Sequence, residues 1–151
     1  MVHLPYMNES YPIAKKWFWW LIGLSSLLLF FRLGAAPIYI LDEAKNAQCA
    51  REMLLRNDWI VPTFNSELRT DKPVLHYWFM MLAYKVFGIN EFAARFFSVL
   101  MGVGTLLITY FFTAKWLNKG TAFFAVLVLV LSTQFLFEFR LSVPDPYLIF
   151  F

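Results

Sequence analysis

Three apolar blocks set what this chain can fold into: residues 17–31, 96–114 and 120–137 run for 15, 19 and 18 residues without a charged side chain. A surface helix of a soluble domain keeps a polar face at the 3.6-residue period, and these blocks keep none. A bilayer core takes roughly 20 apolar helical residues to cross. The blocks therefore read as three membrane spans. The first extends to about residue 33, because the long stem of Arg32 lets its charge snorkel to the headgroups. Composition agrees, with 15% of residues charged against roughly 25% in a soluble domain.

Other classes fall away on charge and cysteine usage. The net charge of +3 is spread along the chain with no basic run beyond Lys15-Lys16, so nucleic acid is not a partner. Cys49 is the single cysteine, and neither His3 nor His76 has a neighbour at zinc-ligand spacing. No cofactor is indicated, and whether a divalent metal is used stays open. Lys15-Lys16 ahead of an apolar run resembles a signal peptide, but only the weak Gly34-Ala35-Ala36 follows it, so the segment is read as a retained anchor.

Lysine placement orients the spans. Lys115 and Lys119 flank a turn too short to be anything else, and lysines favour the cytoplasmic side. With Lys15-Lys16 on that side too, residues 34–92 form an outer loop and Asp145 returns to the outer face. The glycosylation pattern Asn8-Glu9-Ser10 then lies on the cytoplasmic side. Residues 73–88 are apolar but only 16 long, contain His76 and Lys85, and carry Tyr77, Trp78 and Tyr84. That combination predicts an interfacial helix.

Within the outer loop, residues 42–57 predict an amphipathic helix with Ala44, Ala47, Ala50 and Leu54 on one stripe. A short extended stretch over 60–64 and a turn at 65–67 follow. Gly102 and Gly104, with Ser98 and Thr105, predict close helix contact in the second span. An apolar run opens after residue 146, so the chain reads as the N-terminal part of a longer protein.

The residues able to carry chemistry cluster at the outer face. Asp42 and Glu43 stand where span one emerges, and carboxylates also suit a first helical turn. Asp71-Lys72-Pro73 precedes the interfacial helix, where Pro73 suits a first helical position. Lys72 opposes the dipole there unless an anion binds. Asp145 lies between Pro144 and Pro146, as a turn aspartate also would.

Asp42-Glu43, Asp58-Trp59 with Pro62, Asp71-Lys72-Pro73, Tyr77-Trp78, Phe87-Gly88 and Glu91-Phe92 with Arg95 occur in one order between residues 42 and 95. This stretch resembles the first outer loop of the protein O-mannosyltransferase and lipid A aminoarabinose transferase superfamily. It departs in having Val74 where that family often has a second proline, and the family's enzymes carry many more spans. The resemblance implies an all-α membrane protein with a GT-C-like transmembrane helix bundle and amphipathic interfacial helices. It implies a glycosyltransferase that moves a hexose or pentose from a polyprenyl-phosphate carrier to a lipid, glycan or protein hydroxyl at the outer face. On that reading Asp42, Glu43 and Asp145 are catalytic, with Asp42 the base, and Asp71, Lys72, Arg69 and Arg95 bind substrate. Lys72 would offset the charge of the leaving phosphate, helped by Arg69 or Arg95.

Two other classes compete. A transporter or channel subunit predicts ionisable groups inside the spans, and the second and third blocks have none. An inactive membrane fragment is the other alternative.

Overall fold

The computed structural model describes the backbone of residues 13–38 and 41–151, with side chains from Lys16 onward. His3 and Asn8-Glu9-Ser10 lie outside the described residues. Among the described residues the architecture is all-α apart from one small hairpin. In chain order the elements are α1 (Ile13–Phe30), α2 (Leu41–Arg56), β1 (Thr63–Phe64), β2 (Glu67–Leu68), α3 (Leu75–Phe87), α4 (Glu91–Trp116), α5 (Lys119–Leu131), α6 (Thr133–Glu138) and α7 (Asp145–Phe150).

Helix α4 is the axis of the molecule. Asn90 caps it, its side chain accepting from the amide of Ala93, and its 26 residues make a rod of about 39 Å. Among the described residues it is the one helix long and apolar enough to cross a bilayer unaided; Lys16–Phe30 and Lys119–Leu131 are apolar but shorter. The expected third span is divided. Ser132 takes an extended conformation, and its hydroxyl accepts from the amide of Phe135 to cap α6. The hydroxyl offers the backbone a local partner that competes with the helical ladder, which periodicity alone does not reveal.

Packing fixes which ends lie together. The ring of Phe18 in α1 stacks on Tyr110 near the end of α4, with centroids 3.5 Å apart. At the opposite end, Arg95 near the start of α4 donates to the carbonyls of Leu33 and Ala36, just past α1. Helix α1 is thus antiparallel to α4. Arg140, after α6, donates to Phe31 O at 2.8 Å, so α5 and α6 together return the chain to that same end. Phe139 packs flat against Gly102, where a Cβ would stand 2.9 Å from the ring. The close contact expected at Gly102 is with this ring.

Helix α3 spans about 20 Å for its 13 residues, less than a bilayer core. Its ring contacts with α4 fall between Phe92 and Phe97: Phe79 meets Phe97, and Phe87 meets Phe92 and Phe96. These contacts seat α3 against the first turns of α4. Gly88 ends α3 at φ +78°, a conformation that only glycine adopts freely.

Helix α2 closes with Asn57 at φ +54°. The amide of Asn57 bonds Leu54 O and that of Asp58 bonds Met53 O, the paired bonds of a Schellman ending. Asn65 and Ser66 both have positive φ, as a two-residue hairpin turn requires. Glu52 holds this hairpin on α2 by accepting from Thr63 Oγ1 at 2.6 Å and the amide of Asn65 at 2.9 Å.

The stripe that α2 buries is Glu43, Asn46, Cys49, Ala50 and Met53. It is displaced around the helix from the expected Ala44, Ala47, Ala50 and Leu54, of which only Ala50 is fully buried. Two polar residues can occupy it because α4 and the segment before α7 supply their hydrogen bonds. An unpartnered polar atom there would cost about 1–3 kcal/mol.

Candidate active site

Adjacent carboxylates at the start of α2 have opposite surroundings. Asp42 points outward with a side chain 58% exposed, and its Oδ2 lies 3.9 Å from Nζ of Lys72. Glu43 points inward and is 1% exposed. Arg95 grips it with both arms, Nε to Oε1 at 2.8 Å and Nη2 to Oε2 at 2.9 Å. Ser142 adds its amide at 3.0 Å and its hydroxyl at 3.3 Å, both donated to Oε1. A successor residue on a helix is rotated by about 100°, so the pair cannot share one environment.

The Asp-Lys-Pro segment folds against this start. Arg69 pairs its Nε with Asp71 Oδ1 at 2.8 Å, and its Nη1 donates to Asn46 Oδ1 at 3.2 Å and lies 3.5 Å from Cys49 Sγ. Burial acts to raise the Asp71 carboxyl, but the hydrogen bond and charge of Arg69 prevail and hold it below its ordinary range. Lys72 is left beside Asp42, with Asp71 turned to Arg69.

His76, one turn into the chain beyond Pro73, is 1% exposed. Its Nδ1 is 2.8 Å from Pro73 O, so a neutral ring carries its proton there, and Nε2 faces no hydrogen-bond partner. Burial, followed by the cations Arg69 and Lys72, pushes its pKa down to about 4; Pro73 O and Asp145 act the other way. Lys72 and Asp145 thus bear on one imidazole. The ring of Tyr147 in α7 lies 6.2 Å from that of His76, which places the start of α7, and exposed Asp145, at the same end as Lys72 and Asp42.

Of the residues singled out from sequence, Asp42 and Lys72 are brought together, Arg69 and Asp71 form a pair beside them, and exposed Asp145 lies at the same end. Glu43 and Arg95 lie beneath as a buried ion pair. Asn46 and Ser142 belong to this arrangement and were not singled out. Their signal was faint: Asn46 follows Glu43 by one helical turn, the spacing of one face. Among the described residues no group of three His, Cys, Asp or Glu side chains is gathered as a metal site would need. A cavity of about 460 Å³ borders this ion pair, with Glu43 and Arg95 lining it together with Leu28, Arg32, Pro37, Phe137 and Arg140 among others.

This helical framework is that of known membrane transferases. Crystal structures of ArnT from Cupriavidus metallidurans superpose with a TM-score of 0.82. The one bound to undecaprenyl phosphate is 23% identical over 88% of this chain and 25% of its own. The apo form is 24% identical over 90% and 25%. An uncharacterized protein of Aquifex aeolicus is 36% identical over 126 residues, covering 83% of this chain and 25% of the relative. The undecaprenyl phosphate-alpha-4-amino-4-deoxy-L-arabinose arabinosyl transferase of Yersinia pestis is 34% identical over 138 residues, covering 82% and 24%. The chain thus spans about a quarter of the length of these relatives. Residues 71–151, more than half of the chain, match the family model described as dolichyl-phosphate-mannose-protein mannosyltransferase. The chain is a membrane protein of GT-C-like architecture and belongs to the dolichyl-phosphate-mannose-protein mannosyltransferase family.

Proposed function

We propose that this chain forms the acceptor-activating end of a membrane glycosyltransferase that moves a sugar from a polyprenyl-phosphate carrier to an acceptor hydroxyl at the outer face. The observation that carries the reading is the exposed Asp42 carboxylate 3.9 Å from the Lys72 ammonium, at the end of the bundle that also holds Asp145. Transfer needs a base for the hydroxyl proton and a cation for the departing phosphate, and here they are neighbours. Asp42 takes the acceptor proton as the acceptor oxygen bonds the anomeric carbon. The bond from that carbon to the carrier phosphate breaks, and Lys72 offsets the charge left on the phosphate. Before a donor binds, Lys72 and Asp42 neutralise each other.

The arrangement divides the remaining residues by task. Asp145 is exposed at the same end and is the second acidic candidate. Glu43 is assigned to holding the site, because both of its oxygens accept from Arg95 and one also from Ser142, and Arg95 is assigned with it. Arg69 and Asp71 set the backbone that presents Lys72. Helix α3 lies in the interfacial layer, and the turn at Lys115 and Lys119 faces the cytoplasm, consistent with their charge.

The test is transfer of labelled sugar from a polyprenyl-phosphate donor by membranes containing the full open reading frame that holds these residues. Transfer that requires Lys72, with the Km for the donor raised in Lys72→Gln, is the expected result. No transfer with any polyprenyl-phosphate sugar would refute the reading.

A further inference from the structure

The segment that carries Asp145 is tied through its backbone to the helix that carries Asp42. The amide of Ser142 donates to Glu43, and the carbonyl of Ser142 accepts from Asn46 Nδ2 at 3.2 Å. Glu43 and Asn46 lie one turn apart on α2 and so hold the two sides of the same peptide segment. Asn46 is itself held on its other face, where Oδ1 accepts from Arg69 at 3.2 Å. Arg69 continues to Asp71 at 2.8 Å, next to Lys72. Glu43, Asn46 and Ser142 are each no more than 1% exposed, and Arg69 is 9% exposed.

The belt therefore joins three backbone segments: the start of α2 with Asp42, the segment 69–72 with Lys72, and the segment 142–145 with Asp145. The carboxamide at position 46 is suited to this by having one donor group and one acceptor group on a single planar unit. Its amino group must face Ser142 and its oxygen must face Arg69. An aspartate of the same shape would set an oxygen against the Ser142 carbonyl.

We propose that Asn46 is a positioning residue: by clamping the backbone at Ser142, ahead of Asp145, onto α2, it holds the two acidic positions in register with Lys72. This rests on the functional reading above. Asn46 is not exposed to an acceptor or donor, so its effect is on geometry, to which a reacting constellation is sensitive at the scale of about 1 Å.

The experiment compares Asn46→Asp, Asn46→Ala and Ser142→Ala in the full open reading frame, in detergent and in membranes. Steady-state transfer and amide hydrogen exchange of the peptide covering 139–147 are read together. Asn46→Asp is expected to lower kcat by at least about tenfold with the donor Km changed less than threefold. Exchange should rise in 139–147 and stay at the parent level in α3. Asn46→Ala, which removes both bonds, should do the same without an added charge. Ser142→Ala keeps both backbone bonds and loses only the 3.3 Å hydroxyl contact, so its kcat and exchange should stay close to the parent. Parent kcat in both Asn46 variants would overturn the proposal, as would faster exchange throughout the chain with no selective effect at 139–147. If the parent itself transfers no sugar, the functional reading fails and the positioning role with it. The exchange arm still decides the clamp, which is wrong if 139–147 remains protected in Asn46→Ala.

Discussion

Glu43→Gln should destabilise the fold far more than Asp42→Asn, although the two residues are neighbours. Glu43 is 1% exposed and its partner Arg95 5%, with paired contacts at 2.8 and 2.9 Å. Removing one member of a buried pair leaves the other charge without compensation and costs about 3–5 kcal/mol. Glutamine still offers an oxygen to Ser142, so the lower end, about 3 kcal/mol, applies. For a chain of this size each kcal/mol moves the melting temperature by roughly 2–4 °C, giving a fall of roughly 6–12 °C. Arg95→Met should fall by a similar amount. The double variant Glu43→Leu with Arg95→Leu should recover only part of the loss, since it removes the uncompensated charge but leaves the Ser142 amide and the Leu33 and Ala36 carbonyls without these partners. The Asp42–Lys72 pair is solvated, with side chains 58% and 29% exposed and 3.9 Å apart, and such pairs contribute about 0–1 kcal/mol. Melting of detergent-solubilised protein followed by tryptophan fluorescence measures all of these. A Glu43→Gln variant within 2 °C of the parent, or a Lys72→Gln variant that falls as far, would refute the reasoning.

Three further outcomes follow from the geometry. The folded His76 ring titrates at about 4 and an unfolded one near 6.5. The unfolded chain therefore binds the proton first, so stability is complete above pH 6.5 and declines as pH falls toward 4, by about 2 kcal/mol at pH 5. Denaturant titration of parent and His76→Gln should show this slope only in the parent, and equal slopes would contradict it. A side chain at Gly102 meets the Phe139 ring at 2.9 Å, so Gly102→Val should cost about 1–3 kcal/mol, measured by the same melting assay; an unchanged melting temperature would show that α6 does not pack there. In intact cells an impermeant thiol reagent should label Asp71→Cys and spare Lys119→Cys, and the reverse pattern would overturn the orientation.

What the sequence disclosed depended on whether the cause was local. The helix over 42–57 and the turn at 65–67 follow from caps and short-range spacing, and the structure has them at α2 and at Asn65-Ser66. The uncharged runs locate α1, α4 and α5 for the same reason. The partners of Glu43 could not be read, because Arg95 is 52 residues away and Ser142 is 99. Pattern reading also treats a polar residue on a helix as solvent-facing, which shifted the expected stripe of α2 and hid Asn46. The division at Ser132 turns on one hydroxyl choosing a cap over solvent, an outcome that composition does not encode. Asp42 and Lys72 were placed at one depth from sequence, while their 3.9 Å separation depends on how Arg69 anchors the preceding residues.

Asp42 is proposed as the base of sugar transfer, with Glu43 as its support, and the amide variant of Asp42 tests that claim. Transfer from a polyprenyl-phosphate sugar is compared between the parent and Asp42→Asn in the full open reading frame, at matched protein level in the membrane. Asparagine keeps the size of aspartate and its ability to cap a helix, so insertion and melting should match the parent. Loss of a general base lowers the rate by about a hundred- to ten-thousand-fold, and a kcat reduced in that range with normal melting is the expected result. Near-parent turnover by Asp42→Asn would contradict the claim and move the base to Asp145.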